Sequence, residues 1–136
     1  MRAIWEPEAK IIAERQLWIA VMRAQAAAGL DIPQATIADY EAALESVDLG
    51  SIAERERITK HDVKARIEEF NALSGHESIH WGMTSRDLTE NVEQMQIRDS
   101  LELVRDKSVA ALDRLAGLAV AYSETAMAGR SHNVAA

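Results

Sequence analysis

The chain has 136 residues, of which 48% are hydrophobic and 27% charged, as in an ordinary globular domain rather than a disordered chain. Lysine and arginine number 15 against 22 aspartate and glutamate, and the net charge of -7 is the wrong sign for binding nucleic acid or an anionic membrane. With no cysteine, disulfides, thiolate catalysis and cysteine-bound zinc are excluded. The opening residues reach acidic positions before an apolar export segment could form.

The placement of proline and glycine predicts an all-α fold. Two prolines and six glycines separate long stretches rich in alanine, leucine, glutamate and arginine, which are good helix formers. Four helices are predicted in this part of the chain: Pro7 to Gly29, a second from Pro33, a third over 48–58, and a fourth from His61 to Gly75. The expected apolar faces are Ile11, Ile12, Trp18, Ile19 and Met22 in the first helix, Ile37, Tyr40 and Leu44 in the second, and Val63, Ile67 and Phe70 in the fourth.

A long helix is predicted next. Hydroxyls at Thr84 and Ser85 precede an acid at Asp87, which is a capping-box arrangement. The helix could then continue to Gly129, over about 44 residues. A stripe advances along it in steps of four and three: Ile97, Leu101, Val104, Ser108, Ala111, Leu115, Leu118 and Tyr122.

Such a stripe is typical of a helix in a bundle. The helices that pack against this stripe would come from sequence outside these 136 residues or from other subunits. The alternative is that the long helix bends back and packs on its own domain. We predict a small N-terminal helical domain over 1–83 and the first long helix of a central bundle over 84–136.

The segment His76–His80 matches the H-E-x-x-H pattern of zinc peptidases. That chemistry needs both imidazoles on one helix face, whereas Gly75 and Gly82 bracket the segment within less than two turns. No metal site is expected.

Other polar residues stand at predicted helix ends. At the start of the fourth predicted helix, the pair His61-Asp62 indicates an N-cap acid, Asp62, beside a surface imidazole, His61. Thr84 and Ser85 could cap the long helix and also bind an anion there. His132 follows the long helix in a polar, glycine-containing segment, which suits a site better than a core.

Four segments together resemble the adenylosuccinate lyases, a family of the fumarase/aspartase superfamily. They are Ala-Ile-Trp at 3–5, Lys-His-Asp-Val at 60–63, Gly-Met-Thr-Ser-Arg-Asp at 82–87 and Gly-Arg-Ser-His at 129–132. The resemblance covers essentially the whole chain. It implies a cytoplasmic, all-α homotetramer with a central bundle of long helices, and active sites that are each built from three subunits. It also implies a small-molecule substrate and no metal or organic cofactor.

The resemblance implies β-elimination of fumarate from adenylosuccinate, and from the succinyl-carboxamide ribotide of purine synthesis. In this family a serine on a mobile loop removes the Cβ proton and a histidine protonates the departing nitrogen. By motif position His132 is the general acid, and His61 is a second catalytic residue that orients the substrate. The implied substrate-binding residues are Lys60, Asp62, His80, Thr84, Ser85 and Ser131, while His76 is structural.

The sequence also departs from the family. Lys60 stands where relatives often have arginine, and Ser131 replaces a frequent threonine. The family's phosphate-holding Arg-Tyr pair and its Gly-Ser-Ser-x-Met-Pro-x-Lys-x-Asn loop occur nowhere in the 136 residues. We therefore expect an N-terminal portion of such an enzyme, inactive alone. The alternatives are another superfamily lyase, such as argininosuccinate lyase, a zinc hydrolase built on His76 and His80, and a helical assembly module without chemistry.

Overall fold

The computed structural model describes residues 1–132 and 134–135, and the chain divides into two compact units, 1–100 and 101–136. The helices are α1 (Arg2–Trp5), α2 (Pro7–Ala27), α3 (Gln34–Ala42), α4 (Leu49–Thr59), α5 (Asp62–Ser74) and α6 (Ser85–Ala121). Two short strands, β1 (Arg130–Ser131) and β2 (Val134–Ala135), pair antiparallel. The all-α prediction is confirmed, although neither this strand pair nor α1 is among the predicted elements. Among the described residues no helix has the length and apolarity needed to cross a membrane.

The ends of α2 and α4 follow from local chemistry. Proline stands at the first position of α2, where its missing N–H has no intrahelical partner to lose. After α2 the chain turns through Gly29, whose φ of 99° favours glycine. The Asp48 carboxylate accepts a hydrogen bond of 2.9 Å from the Ser51 N–H and so caps α4.

The helix α5 is capped by a histidine. His61 Nδ1 accepts a 3.2 Å hydrogen bond from the Lys64 N–H, and Asp62 is the first residue of the helix. The prediction of Asp62 as the N-cap acid is therefore wrong by one position, because the imidazole nitrogen takes the acceptor role. The helix ends at Gly75 with φ at 77°.

The core of the first unit lies where α2, α3 and α5 pack together. The Trp18 ring stacks on Phe70 at 6.2 Å, and Tyr40 meets Phe70 edge-on at 4.9 Å. Most of the predicted apolar faces are buried here. The main core cluster comprises Trp18, Ile19, Met22, Ile32, Ile37, Tyr40, Ala43, Val63, Phe70, Ile79 and Leu88.

A buried ion pair joins α2 to α5 within this unit. Arg15 Nη2 donates to Glu69 Oε2 at 2.6 Å, and both side chains are excluded from solvent. Arg15 Nη1 donates to the carbonyls of Ala43 and Leu44, each at 2.8 Å, and Glu69 Oε1 accepts from the Asp48 N–H at 3.0 Å. Each partner therefore has further hydrogen bonds that offset its desolvation.

The long helix is shorter than predicted. It ends at Ala121 after 37 residues, eight residues before Gly129. Beyond it the Ser123 hydroxyl donates to the Val120 carbonyl at 3.1 Å, and Thr125 N–H bonds to the Tyr122 carbonyl in a turn. The Ser123 hydroxyl thus competes for a carbonyl of the last turn, and no proline is needed to stop the helix.

The predicted apolar stripe is exposed over the part of α6 in the second unit. Leu101 is 64% exposed, Val104 49% and Leu115 62%. We expect the 136-residue chain to self-associate through this face, since monomers rarely expose contiguous apolar patches of this extent. Light scattering over a concentration series tests the prediction, and a species that stays monomeric at high concentration would contradict it.

Candidate active site

The first residues of α5 and α6 bring an imidazole and a hydroxyl together. His61 Nε2 lies 3.4 Å from Ser85 Oγ, while His61 Nδ1 accepts the capping bond from Lys64. Because Nδ1 is an acceptor, we assign the neutral ring its proton on Nε2, from which it faces Ser85. Ser85 is the first residue of α6, where backbone N–H groups without an intrahelical partner favour a negatively charged ligand.

Asp62 stands next to His61 and remains a carboxylate. Its Oδ1 is 3.6 Å from His61 Nδ1, and its Oδ2 accepts from Arg66 Nη2 at 3.0 Å. Burial acts to raise the pKa of Asp62, but hydrogen bonds from the Val63 N–H and from Arg66, with the charges of Arg66 and His61, outweigh it and lower that pKa. Asp62 is thus negatively charged at neutral pH.

His80 lies on the irregular segment between α5 and α6. Its Nδ1 accepts a 3.0 Å hydrogen bond from Trp18 Nε1, and its backbone has a left-handed φ of 67°. Burial lowers the pKa of His80, the charge of Asp87 opposes this, and His61 adds to the lowering. At neutral pH His80 is therefore a neutral imidazole whose Nε2–H can donate a hydrogen bond.

The predicted capping box at the start of α6 is confirmed. The Asp87 N–H donates to Thr84 Oγ1 at 3.4 Å, and the Thr84 N–H donates back to Asp87 Oδ2 at 2.7 Å. The Thr84 N–H and hydroxyl lower the pKa of Asp87. Thr84 is therefore occupied in the cap, whereas the Ser85 hydroxyl points to His61.

The remaining predicted site residues lie at two places. Lys60 is exposed at the C-terminal end of α4, directly before His61, with φ at 53°. Ser131 lies in β1, and His132 forms the turn between the strands with φ at 51°. Both belong to the second unit, while the other predicted residues belong to the first.

Backbone conformation sets three of these residues apart. Within residues 1–132 and 134–135, the non-glycine residues with positive φ are Lys60, His80 and His132. Side chains in this region are strained, and such strain clusters at functional sites. Motif position in the sequence independently predicts all three as site residues.

The H-E-x-x-H segment does not form the helix that zinc chemistry requires. Residues 76–80 are irregular, His76 Nε2 is 2.7 Å from Asp39 Oδ2, and His80 Nδ1 is bound to Trp18. The part of the chain that the structure describes contains no group of three or more histidine, aspartate or glutamate side chains able to hold a metal ion.

Two supporting residues were missed from the sequence. Arg66 is four residues after Asp62 on one helix, so an i,i+4 ion pair could have been predicted. The indole of Trp18 comes from α2, 62 positions before His80, and no local pattern reports such a contact.

Comparison with known proteins gives several lyases. The chain is 36% identical to adenylosuccinate lyase of Methanothermobacter thermautotrophicus over 97% of its length and 30% of that protein. It is 33% identical to adenylosuccinate lyase of Methanocaldococcus jannaschii over 97% of its length and 29% of that protein. It is 30% identical to N-acetyl-S-(2-succino)cysteine lyase of Enterococcus italicus over its whole length and 30% of that protein. No protein-family model matches.

The fold has a solved counterpart. The crystal structure of 3-carboxy-cis,cis-muconate lactonizing enzyme from Pseudomonas putida superposes with a TM-score of 0.83 over 99% of this chain and 32% of that one, at 24% identity. The chain therefore shares an all-α fold with that enzyme. In sequence it is homologous to adenylosuccinate lyases, and it spans about 30% of the length of the curated relatives it matches.

Proposed function

We propose that the protein containing this chain eliminates fumarate from adenylosuccinate, giving AMP, and acts likewise on the succinyl-carboxamide ribotide of purine biosynthesis. The observation that carries the proposal is the His61–Ser85 contact of 3.4 Å at the start of two helices, within motifs that match this family. Similarity to adenylosuccinate lyases from archaea supports it.

The geometry suits a substrate that carries carboxylates. Ser85, the Nε2–H of His61 and the backbone N–H groups at the start of α6 offer hydrogen-bond donors at one place. Lys60 adds a positive charge as a point contact, without the two-pronged geometry of arginine. The neutral His80 adds a donor without adding charge. These groups would hold the succinyl part and stabilise the aci-carboxylate that forms during elimination.

Elimination needs two proton transfers. A base removes the Cβ proton, the C–N bond breaks to leave the double bond of fumarate, and an acid protonates the departing nitrogen. We assign the acid to His132, with Ser131 beside it in the sequence. The base is the serine of a loop that these 136 residues do not contain.

A second candidate is elimination from a carbon–sulfur bond. N-acetyl-S-(2-succino)cysteine lyase of Enterococcus italicus aligns over the whole chain. Its name and that of adenylosuccinate lyase share a succinyl group on a heteroatom, so one carboxylate site would serve both reactions. A sulfur leaving group depends less on an acid than a nitrogen does.

Parallel assays of the complete protein separate the two candidates. Adenylosuccinate cleavage changes the ultraviolet absorbance, and fumarate release from an S-succinyl thiol can be followed directly. We expect the higher kcat/KM with adenylosuccinate. Higher kcat/KM with the S-succinyl substrate would transfer the proposal to the second candidate, and turnover of neither would contradict both.

The 136-residue chain alone should catalyse no adenylosuccinate cleavage. It carries the proposed acid but no Gly-Ser-Ser loop to supply the base. The absorbance assay is run on the purified chain, then repeated after mixing with a full-length lyase whose own histidine acid has been replaced. Robust turnover by the chain alone would show that the serine loop is dispensable.

Replacing Ser85 with alanine should raise KM more than it lowers stability. The change removes a hydroxyl beside His61 but leaves the Thr84–Asp87 cap intact. The matched control is Thr84→Ala, which should cost about 1 kcal/mol of stability through the lost cap. Both variants are made in the complete protein, where KM is measured by steady-state kinetics and stability by thermal melting. A sharp loss of stability in Ser85→Ala with an unchanged KM would leave Ser85 a purely structural role.

We further propose that the complete protein is a cytoplasmic homotetramer whose active sites combine residues of three subunits. The exposed apolar stripe of α6 supports association, because a face of this kind becomes stable when other helices cover it. The absence of cysteine fits a reducing compartment.

A further inference from the structure

A series of charged side chains runs from the interior to the start of α5. Glu14 of α2 is fully buried, and its Oε2 lies 2.6 Å from Arg66 Nε. Arg66 Nη2 donates to Asp62 Oδ2 at 3.0 Å, and Asp62 Oδ1 is 3.6 Å from His61 Nδ1. Four side chains thus connect the helix interface to the imidazole of the candidate site.

Glu14 is held at a high electrostatic cost. Neither carboxylate oxygen has a well-aligned hydrogen bond, and the Arg66 contact is an ion pair with poor hydrogen-bond geometry. Burial raises the pKa of Glu14, Arg66 and Lys10 oppose this, and the charge of Asp62 adds to it. A buried carboxylate with so few hydrogen bonds does not stabilise a fold efficiently.

A second buried ion pair also attaches α2 to α5. The adjacent Arg15–Glu69 pair joins the same two helices, and both Glu69 oxygens accept hydrogen bonds. The two pairs differ in what lies beyond them. Glu69 also accepts a hydrogen bond from the Asp48 N–H at the start of α4, whereas Arg66 also donates to Asp62, the neighbour of His61.

We infer that Glu14 and Arg66 are positioning residues that fix the Asp62 carboxylate and, through it, the imidazole ring of His61. The inference rests on the proposed function for its catalytic meaning. Glu14 holds one edge of the Arg66 guanidinium, so the Nη2 edge presents a fixed donor to Asp62. Arg66 thereby keeps the Asp62 carboxylate 3.6 Å from His61 Nδ1, too far to accept a proton from it. Nδ1 then remains the acceptor for the Lys64 N–H, and the ring keeps its Nε2–H toward Ser85, whereas a released Asp62 would draw the proton to Nδ1.

The test measures the His61 ring directly in the 136-residue chain. Nitrogen-15 NMR of labelled histidine reports the tautomer of each ring, with the four signals assigned by single His→Gln variants. In the unmodified chain we expect His61 as the Nε2–H tautomer. Glu14→Gln keeps the side-chain volume but removes the charge that holds Arg66, and should produce a mixture of tautomers.

A second readout is amide exchange at Lys64, whose N–H is bound to His61 Nδ1. In Glu14→Gln this exchange should accelerate about fivefold, the scale of one net protein hydrogen bond. Arg66→Met should have the same effect but leaves Glu14 buried without its cation, so it could unfold. The double variant Glu14→Gln/Arg66→Met removes both charges and should fold with the altered His61.

Glu69→Gln is the matched control, because it removes a buried carboxylate from the same α2–α5 interface. It should lower stability and leave both the His61 tautomer and the Lys64 exchange rate unchanged. An unchanged His61 in Glu14→Gln and in the double variant would overturn the inference, and so would an equal change in Glu69→Gln. No readout uses turnover, so failure of the lyase proposal would be seen separately, in the substrate assays.

Discussion

Replacing His132 with glutamine should lower the turnover number of the complete lyase by about a hundredfold or more, the usual scale for a positioned acid. Glutamine keeps the polarity and much of the size of the side chain but cannot transfer a proton to the departing nitrogen. KM should change little, because carboxylate binding is proposed for residues around His61 and Ser85.

The matched control is His76→Gln, since His76 is bound to Asp39 on the surface and is proposed as structural. It should leave turnover near that of the unmodified protein. The pH profile gives a further check, because the limb that reports the acid should disappear in His132→Gln only. Near-normal turnover of His132→Gln with adenylosuccinate would remove His132 from the role.

Replacing Arg15 with methionine should lower the free energy of unfolding by about 3–5 kcal/mol, the scale for breaking a buried ion pair from one side. The change leaves the Glu69 carboxylate buried without its cation. It also removes the donors to the carbonyls of Ala43 and Leu44. Such a loss is a large part of the stability of a small domain.

Urea denaturation of the 136-residue chain, followed by circular dichroism, measures this loss. Arg23→Met is the control, because the Arg23–Glu41 pair is exposed and should contribute about 0–1 kcal/mol. Equal losses in the two variants would mean that the buried pair stabilises no more than a surface contact. A loss confined to Arg15→Met supports its role in holding α2 against α5.

Much of the fold was predictable because its signals are local. Pro7, Gly29 and Gly75 act through their own backbone preferences, and the Thr84–Asp87 box spans four residues. Where competing local signals were close in strength, prediction failed. After Ala121 the chain ends α6 with the Ser123 hydroxyl bonded to the Val120 carbonyl and a backbone turn at Thr125, with no proline or glycine stop.

The candidate site was predictable in its residues but not in its contacts. Motif positions pointed to His61, Ser85 and His80, and the structure adds the partners that orient them. The bond from Trp18 to His80 joins positions far apart in sequence, as does the ion pair of Glu14 with Arg66. These depend on how α2 packs on α5, which no short pattern in either helix specifies.

The left-handed residues carry a consequence for engineering. At Lys60, His80 and His132 glycine would adopt the observed φ without steric cost, whereas the present side chains cost about 1–2 kcal/mol each. A search for thermostable variants that scores backbone conformation alone would therefore favour glycine at all three positions. Such a search would remove a cationic group and two imidazoles that are proposed site residues. These positions should therefore be held fixed in any stabilised variant.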